Sequence, residues 1–201
     1  MEELRQSFER LCLAFDSGPE LIRERIRINH FDAYWMYPER TPEGPVILFV
    51  HGGAFMLGSS FDHSEIIARL SRYAGIRVLS IDYRLAPEHP FPIPNNDCLD
   101  ACLWLTRNGY SPQDIVVVGN SAGGTLVLST LLKLRDLGHP LPQGGYCLSP
   151  GTNMNFDYDS IQNNLKTDWL TTDTFAGIRL LYAAGADPNL PELSPVLGDL
   201  H

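Results

Sequence analysis

Apolar residues at Leu4, Phe8, Leu11 and Phe15 recur three or four positions apart and predict an amphipathic helix over residues 1–14. Asp16-Ser17-Gly18-Pro19 ends it, and Pro19 is suited to open a second short helix running through Arg25. From Ile26 to Tyr37 apolar and polar positions alternate, which predicts two short strands turning near Asn29–Asp32. After a turn-rich connector, Pro38–Pro45, the pattern changes. Val46-Ile47-Leu48-Phe49-Val50 is a continuous run of β-forming residues, expected of a strand buried on both faces. Similar runs follow at Val78–Tyr83, Ile115–Val118 and Gly145–Leu148. Between them lie helical stretches at Asp62–Tyr73, Asn95–Arg107 and Ala122–Leu137. Short buried strands alternating with longer helices predict an α/β fold, a mostly parallel sheet covered by helices on both faces. Thr152–Ala184 reads as an excursion from that sheet, polar at first and helical from Thr171 to Tyr182.

Composition narrows the picture. The 201 residues are 44% hydrophobic and carry a net charge of −9. Such an acidic surface repels phosphate backbones and anionic lipid, so neither nucleic acid nor a membrane is the expected partner. No apolar run approaches the ~20 residues of a membrane-spanning helix. The acidic N-terminus lacks a signal-peptide core, so a cytoplasmic location is expected. Of the four cysteines, Cys12, Cys98, Cys102 and Cys147, the middle two share a helix face four residues apart. No further ligand follows at zinc-like spacing, so buried free thiols are expected, with no metal and no cofactor.

Parallel sheets collect their chemistry at the carboxyl ends of the strands. After Val118 comes Gly119-Asn120-Ser121-Ala122-Gly123-Gly124, a G-x-S-x-G motif between a strand and a helix. The turn is tight, so Gly119 and Gly123 must be small, and Ser121 is exposed at a helix N-terminus that favours developing negative charge. After Val50 comes His51-Gly52-Gly53-Ala54-Phe55, whose glycines let backbone N–H groups point into the site. Together with the Ala122 N–H these are candidate oxyanion donors. His51 itself is expected to bond the loop backbone without reacting. After the next strand, Asp82-Tyr83-Arg84-Leu85-Ala86-Pro87-Glu88-His89-Pro90-Phe91-Pro92 is a proline-stiffened loop. There, Arg84 is expected to pair with Glu88 or Asp82, and His89 to serve packing.

HGGAF, DYRLAPEHPFP and GNSAGG, in that order, resemble the hormone-sensitive-lipase family of α/β-hydrolases. The likeness continues through Leu148-Ser149-Pro150, Asn163–Thr171 and Ser194–Leu200. It implies a carboxylic ester hydrolase for short to medium acyl esters. Ser121 would be the nucleophile, with Gly52, Gly53, Ala54 and Ala122 lining the oxyanion hole and His51, Gly119, Asn120, Gly123 and Gly124 supporting the two motifs. Residues 1–25 and 152–185 would form a helical cap, 26–151 the core, and 186–201 a return segment towards the family's last two strands. Asn120 stands where the family usually has Asp, and Ala54 where it often has a third Gly. The triad acid and histidine are expected beyond His201, and neither His139, at the far end of the helix that starts beside Ser121, nor His201 is a credible base. A weak or silent isolated chain is therefore expected, with an open sheet edge that invites self-association or a complementing C-terminal segment. The alternative is a catalytically silent small-ligand-binding module, like the plant gibberellin receptors that resemble this family.

Overall fold

Strand β3 (Val46–Val50) is buried along its whole length because its side chains alternate between two covered faces. Val46, Leu48 and Val50 enter one cluster with Leu79, Ile81, Val117, Ala101, Leu105 and Leu126. Ile47 and Phe49 enter another with Met36, Ile67, Val78 and Val118. The computed structural model that shows this describes residues 1–14 and 20–199.

Among those residues six strands form one sheet, in the order β1-β2-β4-β3-β5-β6. They are β1 (Ile22–Ile28), β2 (Phe31–Tyr37), β3, β4 (Arg77–Asp82), β5 (Ile115–Asn120) and β6 (Gly144–Leu148). Strands β4, β3, β5 and β6 run parallel, whereas β1–β2 and β2–β4 are antiparallel. Helices α3 (Ile93–Arg107) and α4 (Ala122–Asp136) cover one face and α2 (Ser64–Ala74) the other. Gly75, at φ 68°, ends α2 in the left-handed conformation. Strand β6 has a neighbour on one side only, and Tyr146 on it is 59% exposed.

Two expectations change. Residues 22–25 are not helical: Arg23, Arg25 and Arg27 alternate with Ile22, Glu24, Ile26 and Ile28, and the whole run pairs with β2 from Ile22↔Tyr37 to Ile28↔Phe31. Among the described N-terminal residues the one helix is α1 (Glu2–Leu13), and residues 22–25 belong to the sheet. Phe15 and the break at Asp16–Pro19 lie outside the described residues. The two strands expected to turn near Asn29–Asp32 are present as β1 and β2, and they join the sheet as an antiparallel wing through β4. Finally, the polar start of the excursion contains a short helix, α5 (Asp159–Asn163). Its second helix, α6 (Thr172–Ile178), runs on into a π-helical turn over Arg179–Ala183.

Cys98 and Cys102 are buried, free and on one face of α3, and burial pushes Cys102 up to about 12. Cys12 and Cys147 are half-buried and also free. No helix of the described residues is long and apolar enough to cross a membrane.

Candidate active site

Strand β5 delivers Asn120 and then turns abruptly. Ser121 sits at φ 51° and ψ −122°, exposed, immediately before the first residue of α4. A non-glycine residue in that region costs about 1–3 kcal/mol and persists only where its surroundings over-determine it. Here the Ser121 N–H donates to the Leu148 carbonyl at 2.8 Å, and the Ser121 carbonyl accepts from the Thr125 N–H at 3.2 Å. The flanking glycines are sterically required. A Cβ on Gly119 would strike the Gly123 carbonyl, and one on Gly123 would strike the Val50 carbonyl. Gly124 is only slightly freer, its Cβ position lying 3.0 Å from Pro150.

The loop after β3 is equally constrained. Gly53, Ala54 and Phe55 all have positive φ, at 121°, 55° and 63°. The Met56 and Leu57 N–H groups both donate to the Gly53 carbonyl, at 3.0 and 2.8 Å, closing a turn that a Cβ on Gly53 would fill. Gly52 donates its N–H to Asn120 Oδ1 at 2.9 Å, and a Cβ on Gly52 would lie 2.7 Å from Asn120 Nδ2. The two strand-end motifs are thus tied together by Asn120. The N–H of Gly52 is spent on that tie, so Gly52 shapes the loop without being a free donor. Among the described residues, the N–H groups of Gly53, Ala54 and Ala122 donate to nothing.

His51 is fully buried, with Nδ1 2.8 Å from the Gly52 carbonyl and its ring stacked on Tyr83 at 4.3 Å. Tyr83 in turn donates its hydroxyl to the His51 carbonyl at 2.9 Å. Burial first, and then the neighbouring His63, push the His51 imidazole down to about 3. It is a neutral structural group at physiological pH. His63, at the N-terminus of α2, was not singled out by any motif. Its Nδ1 lies 3.1 Å from the Ser59 carbonyl, and its Nε2 faces Asn120 Nδ2 at 3.5 Å. Asn120 therefore uses both ends of its amide, accepting from Gly52 and facing His63, where a carboxylate would have no proton to give.

The ion pairs differ from expectation. Arg84 pairs with Asp97 of α3, Nε to Oδ2 at 3.0 Å and Nη2 to Oδ1 at 2.7 Å, while its N–H also donates to Oδ2 at 2.9 Å. Glu88 is taken by Arg5, and Asp82 accepts from the Ser60 N–H and hydroxyl, both at 2.7 Å. Burial raises the Asp82 carboxyl above the usual carboxylate range. Sequence distance gave no means of choosing Asp97.

None of the described histidines bonds the Ser121 hydroxyl. His89 is exposed, with its N–H on the Leu85 carbonyl. His139 lies at the opposite end of the sheet, beside a cavity of about 350 Å³ that Ile115 at the start of β5 also lines. His201 is outside the described residues.

This geometry has close counterparts. Residues 47–201 match a family model described as the alpha/beta hydrolase fold. An acetyl-hydrolase of Streptomyces hygroscopicus is 34% identical over the whole chain and 67% of its own length. An esterase of Acinetobacter venetianus is 30% identical over 98% of the chain and 65% of its own length. The crystal structure of an esterase from the bacterial hormone-sensitive lipase family superposes with a TM-score of 0.93 at 37% identity, over 98% of this chain and 67% of that one. The chain belongs to the hormone-sensitive-lipase family of α/β-hydrolases. It spans about two thirds of the length of the two curated relatives. Within the hormone-sensitive-lipase frame, the elbow at Ser121 and the loop at Gly52–Gly58 occupy adjoining carboxyl ends of β5 and β3, which pair Val50 with Gly119.

Proposed function

We propose that this chain carries the nucleophile and oxyanion half of a serine-type carboxylic ester hydrolase acting on short to medium acyl esters. The observation that carries the reading is an exposed Ser121 held at positive φ beside three unspent backbone N–H groups. In this mechanism the Ser121 hydroxyl oxygen attacks the ester carbonyl and its proton passes to a histidine base. The Gly53, Ala54 and Ala122 N–H groups bind the oxyanion. Collapse of the tetrahedral intermediate expels the alcohol, which takes up that proton. Water then attacks the acyl-serine and releases the acid, restoring Ser121. Ala54 donates through its backbone, and its methyl narrows the acyl pocket.

The described residues supply no base in contact with Ser121. Losing a triad base costs about 10⁶ in kcat from a typical ~10 s⁻¹, so turnover by this chain is expected near ~10⁻⁵ s⁻¹. The open edge of β6 is proposed to be filled by further polypeptide, which would bring the acid and the histidine, or by a second copy. The test pairs an organophosphonate label with 4-nitrophenyl esters of two to eight carbons, on this chain alone and on a protein that also contains the family's C-terminal strands. The expected outcome is label on Ser121 in both, faster in the longer protein, which alone turns over ester. An unlabelled Ser121 in the longer protein would remove the enzyme reading and leave the ligand-binding one.

A further inference from the structure

Arg5 is in the first two turns of α1, yet its guanidinium bonds nothing in its own helix. Its Nε donates to the Met56 carbonyl at 2.9 Å. Its Nη2 donates to the Ala86 carbonyl at 2.9 Å and to Glu88 Oε2 at 2.6 Å, and Nη1 donates to Glu88 Oε1 at 3.1 Å. Ala86 completes the circuit, its N–H donating to the Phe55 carbonyl at 3.0 Å. One side chain thus binds the loop after β3 to the loop after β4. The fork geometry matters, because a lysine could not reach two carbonyls and both carboxylate oxygens.

The rest of α1 grips weakly. Leu4 and Leu11 are 52% and 57% exposed and Phe8 and Cys12, on the face of Arg5, are only half-buried, so among the described side chains of α1 none is fully buried. The turn that Arg5 holds is the strained one, with Ala54 and Phe55 in the left-handed region, and such residues need restraint from outside. A second restraint comes from the other side. Phe55 stacks on the fully buried Tyr182 of the π-helical turn, with ring centroids 3.7 Å apart and planes 3° apart. The hydroxyl of Tyr182 is anchored on Asn95 at 2.8 Å.

We infer that Arg5 is a positioning residue that braces the turn carrying the Gly53 and Ala54 N–H groups, so that docking of α1 sets their alignment with the Ala122 N–H. The inference rests on the reading of that turn as the oxyanion loop. Arg5 touches no reacting atom in it. When α1 is docked the donors are fixed; when it swings away, the Met56 carbonyl loses its tie through Arg5 to Ala86 and Glu88, the Ala86–Phe55 bond is left to hold the turn alone, and the donors spread over several orientations.

The test uses the whole chain and the variants Arg5→Ala, Arg5→Lys and Glu88→Gln. Two readouts are taken: amide hydrogen exchange at Met56 and Leu57, and the rate of Ser121 modification by an organophosphonate, resolved into kinact and KI. In Arg5→Ala, exchange at Met56 and Leu57 is expected to quicken about tenfold while β3, β4 and β5 stay unchanged, since a lost charged hydrogen bond opens its own loop. In the same variant kinact should fall about tenfold with KI nearly constant, the signature of lost transition-state alignment. Arg5→Lys should restore little of either, and Glu88→Gln, which keeps the Met56 bond, should sit between. Unchanged exchange at Met56 and Leu57, or acceleration spread evenly over the chain, overturns the brace. If Arg5→Ala does not fold, Glu88→Gln decides by the same pattern. A parent chain whose Ser121 takes no phosphonate counts against the hydrolase reading, and the exchange data then still decide whether Arg5 sets the turn.

Discussion

The strand-end loops and the excursion over residues 152–185 are built on opposite terms. In the loops after β3 and β5, Gly52, Gly53, Gly58, Gly119 and Gly123 each have backbone or a polar side chain where a Cβ would go. Strained residues there are pinned by neighbours from several elements. In the excursion, Gly177 has open space around it, Trp169 is 85% exposed and Leu180 is 74% exposed. Met154, Ile178, Tyr182 and Ala183 are its buried anchors on the core, and the Tyr182 ring carries the excursion's contact to Phe55. The contrast fits the proposed function, in which the loops hold donors at fixed angles and the excursion is a cover that needs only to be attached.

The sharpest way to break this contrast is a pair of matched glycine substitutions. Gly123→Ala drives a methyl into the Val50 carbonyl and should cost about 4 kcal/mol or more, read as a fall in the urea midpoint or as failure to fold. A smaller loss comes from Asp97→Asn. It removes the charge facing Arg84 and, discounted for a guanidinium that is 26% exposed, should cost about 2–3 kcal/mol in the same titration. Acid provides a third test on the loop side. His51 stays neutral in the fold down to about 3, but the unfolded chain takes up its proton near 6.5, so unfolding gains protons as pH falls through that window. Stability present above pH 6.5 should therefore decline by about 1.4 kcal/mol per unit below it. Unfolding free energies measured from pH 7 to pH 4 check the slope, and a flat profile would show that folded His51 protonates freely.

On the excursion side the effects shrink and one changes sign. Gly177→Ala, inside α6 with nothing in its way, should stabilise by about 0.5–1 kcal/mol. Trp169→Ala should stay within about 0.5 kcal/mol, as a surface change does, in thermal or urea unfolding. A large loss at either site would mean that the excursion is packed as tightly as the loops, which would erase the distinction.

Much of this protein was legible along the chain because its strongest signals are local. Val46–Val50 and Ile115–Val118 declare buried strands, since a continuous apolar run has no polar face to turn to water. Gly119 declares the elbow, because the Gly123 carbonyl of its own turn admits nothing larger, whereas Gly123 is kept small by the Val50 carbonyl of another strand. Residues 22–25 misled for the opposite reason. Proline is a helix-start signal, and only pairing with β2 makes the alternating arginines and isoleucines a strand.

What the chain by itself determined is therefore what short-range sterics and burial can decide: the buried strands, the helices between them, and a serine forced into a strained turn. Only the tertiary structure decided which charge Arg84 would meet, that Asn120 would bridge Gly52 to His63, and that Arg5 would clamp Met56 to Glu88. Those pairings join residues 13 to 83 positions apart. Their partners are chosen by where the sheet sets the strand ends down, and no spacing rule along a flexible chain carries that information.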